Sequence, residues 1–92
     1  MVGYTSLEEF LEHYEYSIVT EILMYYQGQP IFITYDYDEQ DRPIRAIRKS
    51  LEDSTIIFRG IHGDDAWLLD NYKVDGLSIR ELVPLSDVTD MW

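Results

Sequence analysis

Few side chains in this sequence have the types and spacing that chemistry needs. His62 is followed closely by Asp64 and Asp65, a grouping that suits a metal site or an acid–base pair. A zinc site takes at least three ligands, and with two histidines and no cysteines the remainder would have to be carboxylates. His13 stands four positions after Glu9, the spacing of a surface ion pair on a helix. Asp36-Tyr37-Asp38-Glu39-Gln40-Asp41 begins like a calcium loop, with acids at the first and third positions. Its sixth position, where a glycine is needed, is Asp41, and its twelfth, where a bidentate glutamate belongs, is Ile47. A solvated turn accounts for the segment better. No serine elbow, P-loop or glycine-rich dinucleotide turn is present. The chain therefore reads as non-enzymatic, with no catalytic residue, metal or cofactor expected.

Charge is the strongest global signal. Eighteen Asp and Glu against seven Lys and Arg leave a formal charge of −11. Such a chain repels phosphate backbones and anionic lipid and attracts basic surfaces, although solubility alone also accounts for acidity. The acids are mixed with tyrosine. Glu8, Glu12 and Glu15 follow one another along a helical face beside Tyr16, and Asp36, Tyr37 and Asp38 end a strand. Eight tyrosines are more than one small core holds, and tyrosine is favoured at interfaces. These seven positions form the expected partner-binding surface, and its partner is expected to be a protein with a basic face. An alternative surface is basic: Arg42, Arg45, Arg48, Lys49 and Arg59 are five of the seven cations, close enough in sequence for several to share a face. That patch would contact nucleic-acid phosphate or pair with acids of its own chain. A third possibility is self-association through Ile18, Ile22, Tyr25 and Tyr26.

The elements that must position these residues follow from periodicity. Ninety-two residues, 46% hydrophobic, make one domain over residues 1–92. Ser6-Leu7-Glu8-Glu9 is a capping-box sequence, and Leu7, Phe10, Leu11, Tyr14, Ile18, Ile22 and Tyr25 recur at helical spacing. This predicts a helix over about residues 6–27, stopped by Gly28 and Pro30, with a second half that is apolar nearly all round. The sheet is expected over about residues 29–92. Its clearest strand is Gln29–Asp38, where β-branched and aromatic residues alternate. Residues 44–51 favour a hairpin partner for that strand, with a helix through Ile44, Ile47 and Leu51 as the alternative. Strands are predicted over Thr55–Arg59, Ala66–Asp70 and Leu77–Val83, then a helical turn at Pro84–Val88 and a last extended piece. With no basic segment ahead of an apolar run, and no apolar run long enough to span a bilayer, a cytoplasmic location is expected.

Pro30-Ile31-Phe32-Ile33-Thr34-Tyr35, Ile56-Ile57-Phe58 and Val83-Pro84-Leu85-Ser86-Asp87-Val88 resemble, in order and spacing, the strands and closing turn of small SH3-like and Sm-like barrels, in particular YolD-like and WYL-like domains. The resemblance covers about residues 29–91 and implies a fold only, since function does not travel with fold. The expected class is α+β: an N-terminal amphipathic helix packed on a small, strongly bent antiparallel sheet of four or five strands, or on an SH3/Sm-like barrel. In size and charge the chain is also similar to inhibitors of restriction and CRISPR nucleases that mimic DNA. That similarity implies a regulatory or inhibitory module whose carboxylates stand in for phosphates, and direct nucleic-acid or membrane binding is not expected.

Overall fold

The structure, a computed structural model, describes residues 6–15 and 21–91. Helix α1 (Leu7–Glu15) starts where the capping sequence places it. The Glu9 amide donates to the Ser6 hydroxyl oxygen at 3.2 Å, and that hydroxyl meets the Glu9 carboxylate at 3.2 Å. Glu8 and Glu9 lie in its first turn, where the helix dipole favours anions.

The predicted continuation of this helix to residue 27 does not form. Ile22–Tyr26 is a strand, β1, and residues 16–20 lie outside the described residues. The apolar-all-round run that suggested a buried helix is a strand buried on both faces, whose signature is the same. Gly28 closes a hairpin rather than a helix. Gln27 and Gly28 have φ of 50° and 79°, the paired positive values of a type I′ turn, and they join β1 to β2 (Gln29–Tyr37). Self-association through a helical stripe loses its basis here. Ile22 and Tyr26 point into this chain's own core, Tyr25 is half-buried, and Ile18 lies outside the described residues.

From β2 the chain meanders through β3 (Pro43–Arg48) and β4 (Ile56–Arg59). Of residues 44–51, those up to Arg48 form the expected strand partner, with Ile33 opposite Ile47 and Tyr35 opposite Arg45. Next comes α2 (Asp65–Asn71), where a strand over Ala66–Asp70 was expected. Asp64 caps it by accepting from the Trp67 amide at 3.2 Å, and the Ala-Trp-Leu-Leu run has no β-branched residue to resist the helix. A two-stranded ribbon follows, β5 (Lys73–Val74) with β6 (Leu77–Ser78). The predicted strand Leu77–Val83 keeps only its first two residues. Ser78 starts α3 (Ile79–Leu82) through a full capping box: the Glu81 amide donates to its hydroxyl oxygen at 3.2 Å, and its own amide donates to the Glu81 carboxylate at 2.9 Å. The helical turn expected over Pro84–Val88 is a 3₁₀ turn at Val83–Leu85, and Asp87 and Val88 belong instead to the last strand, β7 (Asp87–Met91).

The five long strands form one antiparallel sheet in the order β4-β3-β2-β1-β7. The class is α+β, as expected, but the sheet is open, with β4 and β7 as its two edges, and does not close into a barrel. Both edges carry a bulge, where β4 meets Ile47/Arg48 and where β7 meets Leu23/Met24, a device that discourages further strand pairing. One face bears Ile22, Met24, Ile31, Ile33, Ile47 and Val88. The helices cover it with Phe10 and Tyr14 of α1, Leu68 and Leu69 of α2, and Ile79 and Leu82 of α3. Each such side chain stabilises the fold by roughly 1.5–3 kcal/mol on burial. On the opposite face Leu23, Phe32, Ile44 and Ala46 are buried as well, and the Arg48 guanidinium lies 5.1 Å from the centre of the Phe32 ring.

Candidate interaction surface

The Asp36–Asp38 strand end and the basic cluster, two rival surfaces in the sequence, meet at one corner of the sheet. The turn between β2 and β3 is organised by Asp38. One of its carboxylate oxygens accepts the Gln40 and Arg42 amides, each at 2.9 Å, and the other pairs with Arg42 Nε at 2.9 Å. These contacts, the Arg42 amide foremost, hold the Asp38 carboxyl below the usual carboxylate range. Asp38 is thus a turn-former, as its place in a solvated hairpin turn requires. From β4, across β3, Arg59 reaches Asp36 of β2 with Nε and Nη2, both at 3.0 Å. Arg42, Arg59, Asp38, Tyr37, Ile44 and Gly60 line a concavity of about 590 Å³. Tyr37 is 63% exposed at its rim, Glu39 and Asp41 are exposed beside it, and Ile57 and Ile61 are exposed on and just after β4.

Of the five cations of the basic cluster, Arg42, Lys49 and Arg59 are exposed, Arg48 is half-buried and Arg45 leaves the surface. Arg45 is fully buried, 0% exposed. Its guanidinium lies 4.5 Å from the Tyr14 ring centre and 4.1 Å from that of Tyr35, and Nη2 donates to the Tyr14 carbonyl at 2.8 Å. It therefore joins the end of α1 to β2 and β3. Arg48 turns back onto its own loop, donating to the Leu51 carbonyl at 2.7 Å and to the Asp53 carbonyl at 3.4 Å. Lys49 lies 3.7 Å from the Asp53 carboxylate. Outside this cluster Arg80 pairs with Asp70 at 2.8 Å. Lys73 is exposed and has no ion-pair partner among the described residues.

The helical side of the sheet presents two further clefts. One, of about 390 Å³, lies between α1 and the start of α2 and is lined by Leu11, Tyr14, Asp64, Asp65, Ala66 and Arg80 among others. The second, of about 280 Å³, is lined by Tyr35, Pro43, His62, Gly63 and Asp65. The Tyr14 hydroxyl donates to the Asp65 carbonyl at 2.7 Å, and His62 Nδ1 lies 3.0 Å from the Pro43 carbonyl. Burial raises the Tyr14 hydroxyl well above the ordinary tyrosine range, against the opposing pull of Arg45. His62, Asp64 and Asp65 are near in sequence, but no group of three metal-ligating side chains occurs among the described residues.

Of the acids expected on α1, Glu8 and Glu12 are exposed on its outer side. The side chain of Glu15, and Tyr16 entirely, lie outside the described residues. Sequence reasoning missed Tyr14 and Tyr35 as the two walls around Arg45. Tyr14 sat in the helical stripe and Tyr35 on the inward face of β2, but nothing local announces that the two rings face one cation.

No helix among the described residues is long and apolar enough to cross a membrane. The chain matches no protein-family model, and neither curated proteins nor solved structures are similar to it.

Proposed function

We propose that the chain is a non-enzymatic protein-binding module, regulatory or inhibitory, whose acidic and tyrosine-bearing surface engages a basic partner such as the groove of a nucleic-acid enzyme. The observation that carries this reading is where the cations go. Arg42, Lys49, Arg59 and Arg80 are each taken up by an aspartate, Arg48 by main-chain carbonyls, and Arg45 by the interior. The excess of eighteen acids over seven bases is thus presented to solvent with little free positive charge among it. A phosphate backbone would meet that field unfavourably, and a basic protein surface would be steered toward it. The corner around Tyr37 is the favoured contact region. Its exposed tyrosine and two arginines match the composition of interface hot spots, with Glu39 and Asp41 as a charged rim.

The test is recovery of a partner from nuclease-treated lysate by tagged protein, washed at low and at high salt. A basic protein retained at low salt, lost at high salt and lost again with Tyr37→Ala is the expected outcome. A partner held equally at both salt concentrations overturns the electrostatic reading. Retention of nucleic acid from untreated lysate, with no protein recovered, would transfer the function to the exposed cations Arg42, Lys49 and Arg59.

A further inference from the structure

We infer that the two clefts on the helical side form one groove that takes an arginine side chain from an extended segment of the basic partner, an inference that rests on the acidic-module reading above. The clefts share Gly63 and Asp65 in their linings, which places them side by side between α1 and Pro43. Their lining supplies both halves of what an arginine requires. Leu11, Ala66 and Leu69 offer an apolar wall for the methylene stem, and Tyr35, whose ring already meets the Arg45 guanidinium at 4.1 Å, lines the second cleft. The charge comes from Asp64 and Asp65.

Asp65 is the distinctive residue. It is half-buried, and while its carbonyl accepts from Tyr14, its carboxylate makes no hydrogen bond or ion pair with any described residue. Among the described residues the other half-buried acids are engaged: Asp36 by Arg59, Asp38 by Arg42, Asp53 by Thr55 and Lys49, and Glu21 by Thr34. The cation in the same cleft, Arg80, is drawn to Asp70, and His62, exposed in the second cleft, faces the Pro43 carbonyl. A half-buried acid with no ion-pair partner among the described residues, set beside an apolar wall, is complementary to a planar guanidinium, which can bond both carboxylate oxygens in its own plane. A divalent ion fits less well, because no third ligand accompanies Asp64 and Asp65 among the described residues.

The experiment is fluorescence anisotropy with a labelled oligo-arginine peptide at low ionic strength. It uses the full chain and three variants of it, each first shown by circular dichroism to melt as the parent does. Asp65→Asn removes the charge at the groove, Asp75→Asn removes one charge in the distant β5–β6 turn, and Ala66→Gln fills the cleft with a neutral helix-forming side chain. Asp65→Asn and Ala66→Gln should each weaken binding by about threefold or more, and Asp75→Asn by less than about twofold. If Asp65→Asn weakens binding no more than Asp75→Asn, or Ala66→Gln binds like the parent, the groove is not the site and the module reading stands without it. A parent protein that fails to bind the peptide at all overturns the acidic-module reading itself.

Discussion

Arg45 of β3 and Arg59 of β4 stand on adjacent strands of one sheet, yet they meet opposite surroundings. Arg59 lies opposite Ala46, one residue along from Arg45, and the pleat sends the two guanidinium groups to opposite faces. Arg45 turns toward the helices, where two tyrosine rings and the carbonyl at the end of α1 replace its hydration. Arg59 remains 57% exposed and pairs with Asp36 in water. The same residue type therefore acts as a structural rivet in one place and as a rim charge in the other. What separates them is a single step of strand register, and the energetic consequences differ by several-fold.

The sharpest way to break this contrast is at Arg45. Arg45→Ala removes the filling between Tyr14 and Tyr35 together with a charge-assisted hydrogen bond, and should lower stability by about 3–5 kcal/mol in urea unfolding. Arg45→Met separates packing from charge. It refills the slot but leaves the Tyr14 carbonyl without its donor, so a loss of about 1–3 kcal/mol is expected. If Arg45→Ala costs no more than an exposed arginine substitution, the rivet does not exist.

Gly60 comes next, because it connects the two regions. Its amide donates to the Arg45 carbonyl at 2.7 Å, and a Cβ built on it would lie 2.8 Å from that same oxygen. The contact is with backbone, so it is not relieved by a side-chain rotation. Gly60→Ala should therefore cost about 1–3 kcal/mol and loosen the β3–β4 pairing, read as faster amide exchange at Gly60.

Tyr14→Phe tests the wall of the rivet rather than its pin. It deletes the hydroxyl that bonds the Asp65 carbonyl, at an expected cost of about 1–2 kcal/mol near neutral pH. The pH dependence has a definite sign. The folded hydroxyl titrates above its unfolded value, chiefly through burial, so the folded state holds its proton more tightly. Its contribution is complete below the ordinary tyrosine value of about 10 and is lost as pH rises beyond it. The Phe variant should show a shallower alkaline loss of stability. Some slope remains, since burial raises Tyr72 as well.

How much of this was legible beforehand divides along physical lines. The β2 strand, its pairing with the first part of 44–51, and the Ser6 cap followed from local periodicity and turn chemistry, while the last strand was expected two residues late, at Thr89 rather than Asp87. The errors share one cause: local patterns with two solutions. Ile22–Tyr26 is apolar all round, which describes a buried helix and a doubly covered strand equally, and only pairing with β2 and β7 decides. Ser78-Ile79-Arg80-Glu81 carries the same capping signature as Ser6–Glu9, but the alternation of Leu77, Ile79 and Val83 masks it. The fate of the cations was not legible at all. Arg45 carries no mark that distinguishes it from Arg42 or Arg48 until a helix from thirty-one residues upstream brings a carbonyl to it.

The smallest expected effect lies at the exposed end of the comparison. Arg59→Ala should change stability by no more than about 1 kcal/mol, because its ion pair with Asp36 is screened and its side chain gives up entropy to form it. Added salt should erase what effect there is, as it cannot for Arg45. Where Arg59 does matter is in the field around Tyr37. Removing it frees the Asp36 carboxylate and makes the corner more acidic, so a basic partner should bind Arg59→Ala at least as tightly as the parent and associate faster at low salt. A nucleic-acid ligand would respond in the opposite direction, with weaker retention and a shallower salt slope. One variant thus leaves the fold nearly untouched while sending the two kinds of partner opposite ways, and stopped-flow association rates measured against salt distinguish them.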